Sequence, residues 1–188
     1  MYIIAGKHRR RKIQIPNGHQ LRPSTGQLRE ALFNILQHWP DFNLQGARVA
    51  DLCCGSGALG LEALSRGAAK IVFIDQHPQA IACAKENVMR FGEIANAEFI
   101  CCDSTRLPKA HAPCDLVLMD PPYRQPELVQ TALSSLQLQG WLGPETIIVL
   151  EEDSRTTAAL PGWEVLDDRT YGRSRLRIVR FIPCLEIQ

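Results

Sequence analysis

Three glycines, Gly55, Gly57 and Gly60, stand at G-x-G-x-x-G spacing directly after the apolar run Val49-Ala50-Asp51-Leu52. Glycines so placed allow a tight turn, close backbone approach to a ligand and tight packing of the next helix on the strand. The pattern alone is weak, because strand-to-helix turns often need a positive φ for purely local reasons. Two acids sharpen it. Asp51 sits at the strand end ahead of the glycines, and Asp75 ends the next apolar run, Lys70-Ile71-Val72-Phe73-Ile74. A carboxylate beside the turn repels a pyrophosphate and suits a ligand with cationic groups. S-adenosylmethionine carries a sulfonium and an ammonium, and its ribose diol suits Asp75. Gly55, Ser56 and Gly57 would then cradle the cofactor. The competing reading of Asp51 is a carboxylate that ties the loop or faces the helix dipole.

A second stretch, Asp115-Leu116-Val117-Leu118-Met119, ends in Asp120-Pro121-Pro122-Tyr123. Two prolines fix φ and lack N–H groups, so they hold the acid before them and the ring after them in a set relation. A pair of prolines that merely stops a strand explains neither flanking residue. The tetrapeptide resembles the Asp/Asn-Pro-Pro-aromatic motif of amino-methyltransferases, which binds an exocyclic NH2 group. Such a nitrogen is conjugated with its ring and is a poor nucleophile. Acceptors on both of its hydrogens, here the Asp120 carboxylate and the Pro121 carbonyl, favour a pyramidal nitrogen with its lone pair toward the methyl donor. Tyr123 would stack on a base drawn out of its helix.

The elements needed to position these groups are legible in outline. At 188 residues, the chain has the length of one domain with a small extension. Hydrophobic residues make up 45% and charged residues 22%, the balance of an ordinary globular protein rather than a disordered one. No apolar run has membrane-spanning length, and Met1 to Lys7 lack a signal-peptide core, so a cytoplasmic protein is expected. The seven cysteines show no C-x-x-C spacing. Cys53-Cys54 and Cys101-Cys102 are read as strand residues pointing to opposite faces, small buried thiols with no metal site.

A net charge of +1 conceals an asymmetry. Residues 1–29 hold Lys7, Arg9, Arg10, Arg11, Lys12, Arg22 and Arg29 and no acid, which leaves 14 cations against 20 acids elsewhere. A basic arm for a polyanion on a neutral-to-acidic body follows. Tyr2 to Ala5 and Lys12 to Ile15 read as a short strand pair around a basic turn, a device for gripping phosphates. Arg22 is placed to reach a phosphate or the target nucleotide, or to lie on the surface.

Beyond the arm, Ser24 or Thr25 can cap a helix whose stripe is Leu28, Ala31, Leu32, Ile35, Leu36 and Trp39. Strands are expected at 47–53, 71–74, 97–101, 115–119 and 146–150, and helices at 58–66, from Pro78 and from Pro126 to about Leu138. Asp103 falls near the end of the third strand, where acids often face an adenine amine. Glu151-Glu152-Asp153 is read as a solvated end, and residues 163–166 and 176–182 as a terminal hairpin. Apolar strands alternating with amphipathic helices mean an α/β fold, a parallel sheet covered on both faces.

The whole chain resembles the bacterial RsmD family of small-subunit ribosomal RNA guanine-N2 methyltransferases. The matching stretches begin at Ile3-Ile4-Ala5-Gly6-Lys7, Arg9-Arg10-Arg11-Lys12-Ile13, Leu21-Arg22-Pro23-Ser24-Thr25 and Arg29-Glu30-Ala31-Leu32-Phe33, and include Gly55 to Ala68 and Asp120 to Tyr123. Cys53-Cys54 departs from the family's usual aromatic and small residue, and Arg10 from its usual glycine. The resemblance implies a Rossmann-like class I methyltransferase with strand order 3-2-1-4-5-7-6 and the last strand antiparallel. It implies an extension at 1–23 and a methyltransferase domain at 24–188. S-adenosylmethionine would be the donor, with no metal, and 16S rRNA the partner, within an assembly intermediate or naked. A monomer is expected. Asp120, Pro121 and Tyr123 would act on the base. Asp51, Gly55, Ser56, Gly57, Asp75, Asp103 and Asp120 would hold the cofactor. Lys7, Arg9, Arg10, Arg11, Lys12 and Arg22 would hold RNA. The alternatives are an adenine-N6 methyltransferase acting on DNA or RNA, a nicotinamide-dependent oxidoreductase, and a non-catalytic RNA-binding factor.

Overall fold

A computed structural model describes residues 1–15, 26–121, 126–155 and 159–182. The expected helix cap at Ser24 or Thr25, Arg22, Pro122 and Tyr123 lie outside the described residues. The elements run α1 (Gly26–Gln37), β1 (Arg48–Leu52), α2 (Ala58–Ser65), β2 (Lys70–Asp75), α3 (Pro78–Phe91), β3 (Ala97–Cys101), β4 (Cys114–Met119), α4 (Pro126–Leu138), β5 (Leu142–Asp153), β6 (Trp163–Tyr171) and β7 (Ser174–Phe181). One seven-stranded sheet has the order β3-β2-β1-β4-β5-β7-β6, as expected. The β1–β5 pairings are parallel, and β7 runs antiparallel between β5 and β6. Among the described residues no helix is long and apolar enough to cross a membrane.

Strand alternation divides the core. Val49, Phe73, Leu118, Val149 and Ile178 face α1, α2 and α3, while Leu52, Ile74, Met119, Leu150 and Val179 face α4. Both faces are covered, which is why these strands read as continuous apolar runs.

Three expectations need correction in the body, and a fourth at the N-terminus. First, β1 ends at Leu52, and Cys53 takes the left-handed region at φ 58°, so the Cys53-Cys54 pair forms a turn rather than a strand. Second, Glu151 and Glu152 are buried, because β5 runs on to Asp153 and pairs there with β7. Glu152 accepts two hydrogen bonds from Arg177, at 2.5 and 2.8 Å. Third, Arg29 belongs to the core and not to the basic arm. The buried face of α1 is Leu28, Arg29, Leu32, Phe33 and Leu36.

The first fifteen residues are built onto the body. A single antiparallel bridge, Tyr2 to Lys12, replaces the expected strand pair. The backbone N–H groups of Ile4 and Ala5 donate instead to the Glu62 carboxylate, at 2.9 and 3.0 Å. Ile3 and Ile13 join the core beneath α1 and α2. At Gly6, φ is +80° and an added Cβ would lie 1.8 Å from the Ser65 carbonyl oxygen, so only glycine fits. Arg10 takes φ 68°, a conformation that glycine adopts without cost.

Glu93 anchors the other side of this segment, 2.7 Å from Lys7 Nζ and 2.5 Å from His8 Nε2. Burial raises its pKa, but hydrogen bonds from Lys7, Asn96 and His8 outweigh that and hold it down at about 2. The folded pKa lies below the unfolded one. Its contribution is therefore present above about pH 4.5 and is lost as pH falls toward 2. Glu93→Gln should cost about 2 kcal/mol at pH 7 and flatten the loss of stability on acidification, read by urea unfolding at several pH values. Parallel pH profiles for the two proteins would contradict this.

Candidate active site at the carboxyl edge of the sheet

The two motif stretches meet at one edge. β1 lies between β2 and β4, with Leu52 opposite both Ile74 and Met119. The next residues, Asp75, Cys53 and Asp120, therefore follow on neighbouring strands, roughly 4.8 Å apart laterally. The Asp120 N–H points at the Leu52 carbonyl from 3.5 Å.

The glycine turn is braced from below. Gly55 and Gly57 have φ of 53° and 76°, and the Gly57 N–H closes the turn on the Cys54 carbonyl at 2.7 Å. Asp75 Oδ2 accepts from the Gly55 N–H at 2.9 Å, and its Oδ1 from the His77 N–H at 2.9 Å. Asp51 Oδ2 accepts from the Gly60 N–H at 2.8 Å. Gly60 packs α2 onto β2, since an added Cβ would come within 2.5 Å of the Phe73 ring. Asp51 is 1% exposed and so braces the turn from inside. Burial pushes its carboxyl up to about 8. Holding the charged form there is costly, and a nearby cation offsets that cost.

Cys53 stands at the centre. It is half-buried, and burial first, then the negative field of Asp75, pushes its thiol up to about 12. Asp120 and Asp51 add to that field, while a Ser104 hydrogen bond opposes it. The carboxyl groups of Asp75, Asp120 and Asp51 thus all act on Cys53, a charge distribution that suits a cationic ligand better than a pyrophosphate. Asp103 lies just past β3, exposed, with Oδ1 accepting from the N–H and hydroxyl of Thr105, each at 2.8 Å. The Thr105 N–H is the main reason its carboxyl stays below the usual range. Ser56 is buried beside the turn, and so is Pro121 after Asp120. Among the described residues, no group of three or more His, Cys, Asp or Glu side chains is placed to hold a metal.

Two residues at this edge escaped the sequence reading. Asn87 is fully buried on α3, and its Nδ2 donates to the Ser56 carbonyl at 3.0 Å and the Gln14 carbonyl at 2.9 Å. Its Oδ1 accepts from the Gln14 N–H at 2.8 Å. The other is Glu151, which follows Leu150, the partner of Met119, and so stands beside Asp120. A buried Asn at the helical spacing of a core stripe is a signal for the first. Only strand register reveals the second.

The basic residues divide into two groups. Lys7 is tied to Glu93, and the Arg11 guanidinium lies 4.4 Å over the Phe91 ring and donates to the carbonyls of Phe91 and Arg90. Arg9, Arg10 and Lys12 are exposed and form no ion pair with another described residue.

Comparison with known proteins agrees with this architecture. The family described as Conserved hypothetical protein 95 matches residues 1–180. "Ribosomal RNA small subunit methyltransferase D" of Escherichia coli K12 is 33% identical over 181 residues, covering 94% of this chain and 87% of that protein. The solved structure of yhhF from Escherichia coli superposes with a TM-score of 0.80 at 31% identity, over 96% of this chain and 97% of that one. An RNA methyltransferase from Salinibacter ruber, solved with S-adenosyl-L-homocysteine, shares the fold at a TM-score of 0.65 and 17% identity, over 83% of this chain and 91% of that one. With a family match across nearly its whole length and a relative one-third identical over most of both chains, this chain belongs to the RsmD family of methyltransferases.

Proposed function

We propose that this chain transfers a methyl group from S-adenosylmethionine to the exocyclic N2 of a guanine in 16S ribosomal RNA, in the cytoplasm. The observation that carries the reading is the position of Asp120, one strand from the glycine turn at the same sheet edge. The donor supplies an electrophilic methyl group. Gly55, Ser56 and Gly57 would cradle it, Asp75 would take the ribose, and Asp103 the adenine side. Asp51, buried beneath the turn, favours its positive charge. Asp120 and the Pro121 carbonyl would accept from the amine and turn its lone pair toward the donor, with Tyr123 stacking on the base. Guanine offers adjacent N1–H and N2–H donors, and an acid suits that edge better than adenine's. The acceleration comes from positioning and fixed electrostatics.

The extension at residues 1–23 would grip the RNA, with the exposed Arg9, Arg10 and Lys12 as its leading contacts. Replacing each of these with alanine should lower the slope of log affinity against log salt by about 1, while Arg11→Ala acts chiefly on stability. Slopes that do not change would remove the extension from the interface.

The direct test is mass spectrometry of rRNA nucleosides from cells with and without the gene. Loss of N2-methylguanosine at one 16S position is the expected result. Activity confined to duplex DNA or to adenine N6 would overturn the reading, and tight binding of NAD in calorimetry would replace the donor.

A further inference from the structure

We infer that Arg173 holds a backbone phosphate of the target strand at the active edge, a grip on RNA separate from the N-terminal extension. The inference rests on the proposed rRNA reading and adds where that strand must run. Its basis is strand register. Met119 pairs with Leu150, so Asp120 stands level with Glu151, and β5 then continues to Asp153. Asp153 pairs with Ser174, and Ser174 with Tyr171, which leaves Gly172 and Arg173 as the turn of the β6–β7 hairpin. The turn therefore overhangs the level of Asp120 by roughly 7 Å and stands roughly 10 Å to its side. That side is the one away from the glycine turn, because β1 and β5 flank β4. With the donor over the glycine turn, a base held at Asp120 brings its own phosphate and those of its neighbours to the hairpin side.

The overhang is held in place. Gly172 takes φ 61° at the first central position of the turn, where a left-handed residue matches the twist of the two strands. The Arg173 carbonyl accepts from the Ser154 N–H at 2.9 Å, so the chain after β5 braces the turn. The charges around it single out one cation. Arg169, Arg175, Arg177 and Arg180 pair with Asp167, Asp168, Glu152 and Glu164 respectively, at 2.5 to 2.8 Å. Arg155 pairs with Asp153 at 2.8 Å. Those acids would otherwise repel a polyanion, and the arginines neutralise them. Arg173 is exposed and forms no ion pair with another described residue. It is the cation of this hairpin that stands nearest the active edge and is not matched by an acid. A planar guanidinium on a backbone fixed by the sheet suits a phosphate, which it can hold through two parallel N–H donors.

The test measures binding of a 16S rRNA fragment containing the methylated guanine over a salt series. Arg173→Ala should lower the slope of log affinity against log salt by about 1 and weaken binding roughly three- to tenfold near physiological salt. Arg173→Lys should restore most of both, since it keeps the charge. Joined to Arg9→Ala, the slope should fall by about 2, as two separate contacts require. Melting temperature and S-adenosylmethionine affinity should stay close to wild type, because the residue is exposed and away from the glycine turn. Replacing the phosphates that flank the guanine one at a time by uncharged methylphosphonates should weaken wild type at one of them and leave Arg173→Ala indifferent there. An unchanged slope in Arg173→Ala overturns this role, and a response of Arg9→Ala in the same series shows that the parent reading survives. A loss seen only when ribosomal proteins are bound to the fragment marks a protein partner and overturns the role as well. Wild type that forms no N2-methylguanosine in rRNA overturns the parent reading instead.

Discussion

Asp120→Ala is expected to lower methyl transfer to rRNA by about 10³-fold while leaving rRNA affinity within about twofold of wild type. The loss is that large because the acid does two things from one position. In the proposed reaction it would accept a hydrogen from the amine, and its charge adds to the negative field at Cys53, beside which a cationic donor would sit. Neither task involves the basic extension, whose described residues contact α2 and α3. Asp120→Asn separates the two tasks. It keeps one acceptor and loses the charge, so it should retain more activity than alanine, with a higher KM for the donor. Single-turnover assays at saturating RNA measure the first effect and filter binding the second. Turnover within tenfold of wild type in the alanine variant would remove Asp120 from the chemistry.

Glu62→Ala is expected to destabilise the fold by about 4 kcal/mol, lowering Tm by roughly 10 °C for a domain of this size. Glu62 is fully buried and accepts four contacts. They come from the N–H groups of Ile4 and Ala5, from Arg66 Nε at 2.8 Å and from Arg29 Nε at 3.6 Å. Removing it leaves two backbone donors without their acceptor and the buried Arg29 guanidinium without its counter-charge. Burial already pulls the pKa of that guanidinium down, and Glu62 is the main group opposing the shift. Coupling Glu62→Leu with Arg29→Met should recover only the part due to the stranded guanidinium, since an apolar pair needs no counter-charge but leaves the Ile4 and Ala5 N–H groups without an acceptor. A Tm within about 3 °C of wild type for the alanine variant would show that the N-terminal segment is held by its other anchors, among them Ile3, Ile13 and the Glu93 and Asn87 contacts.

Legibility in the sequence followed the range of the interaction. β3 and α4 fall where periodicity puts them, because apolar runs and Pro126 are local signals. The glycine turn and Asp120 were visible for the same reason: each motif carries its geometry within a few residues. The charged core was not. Arg29 and Glu62 sit on different helices and look like surface residues until the fold pairs them. Glu151-Glu152 looks like a frayed end until β7 continues the ladder beside it. The N-terminal strands shrank to one bridge because a glutamate distant in sequence took their N–H groups. The same limit hid Asn87 and Glu151, whose partners lie in other elements.

The buried amide of Asn87 has a mechanical consequence. It joins backbone atoms of Gln14 and Ser56, all within 3.0 Å, and hydrogen bonds weaken steeply outside a narrow range of length and angle. A sub-ångström slide of the chain at Gln14 must therefore either break a bond or drag the carbonyl of Ser56 with it. The leading peptide is in that sense a strut of the pocket floor. Trimming it, or grafting another in its place, reshapes the floor as well.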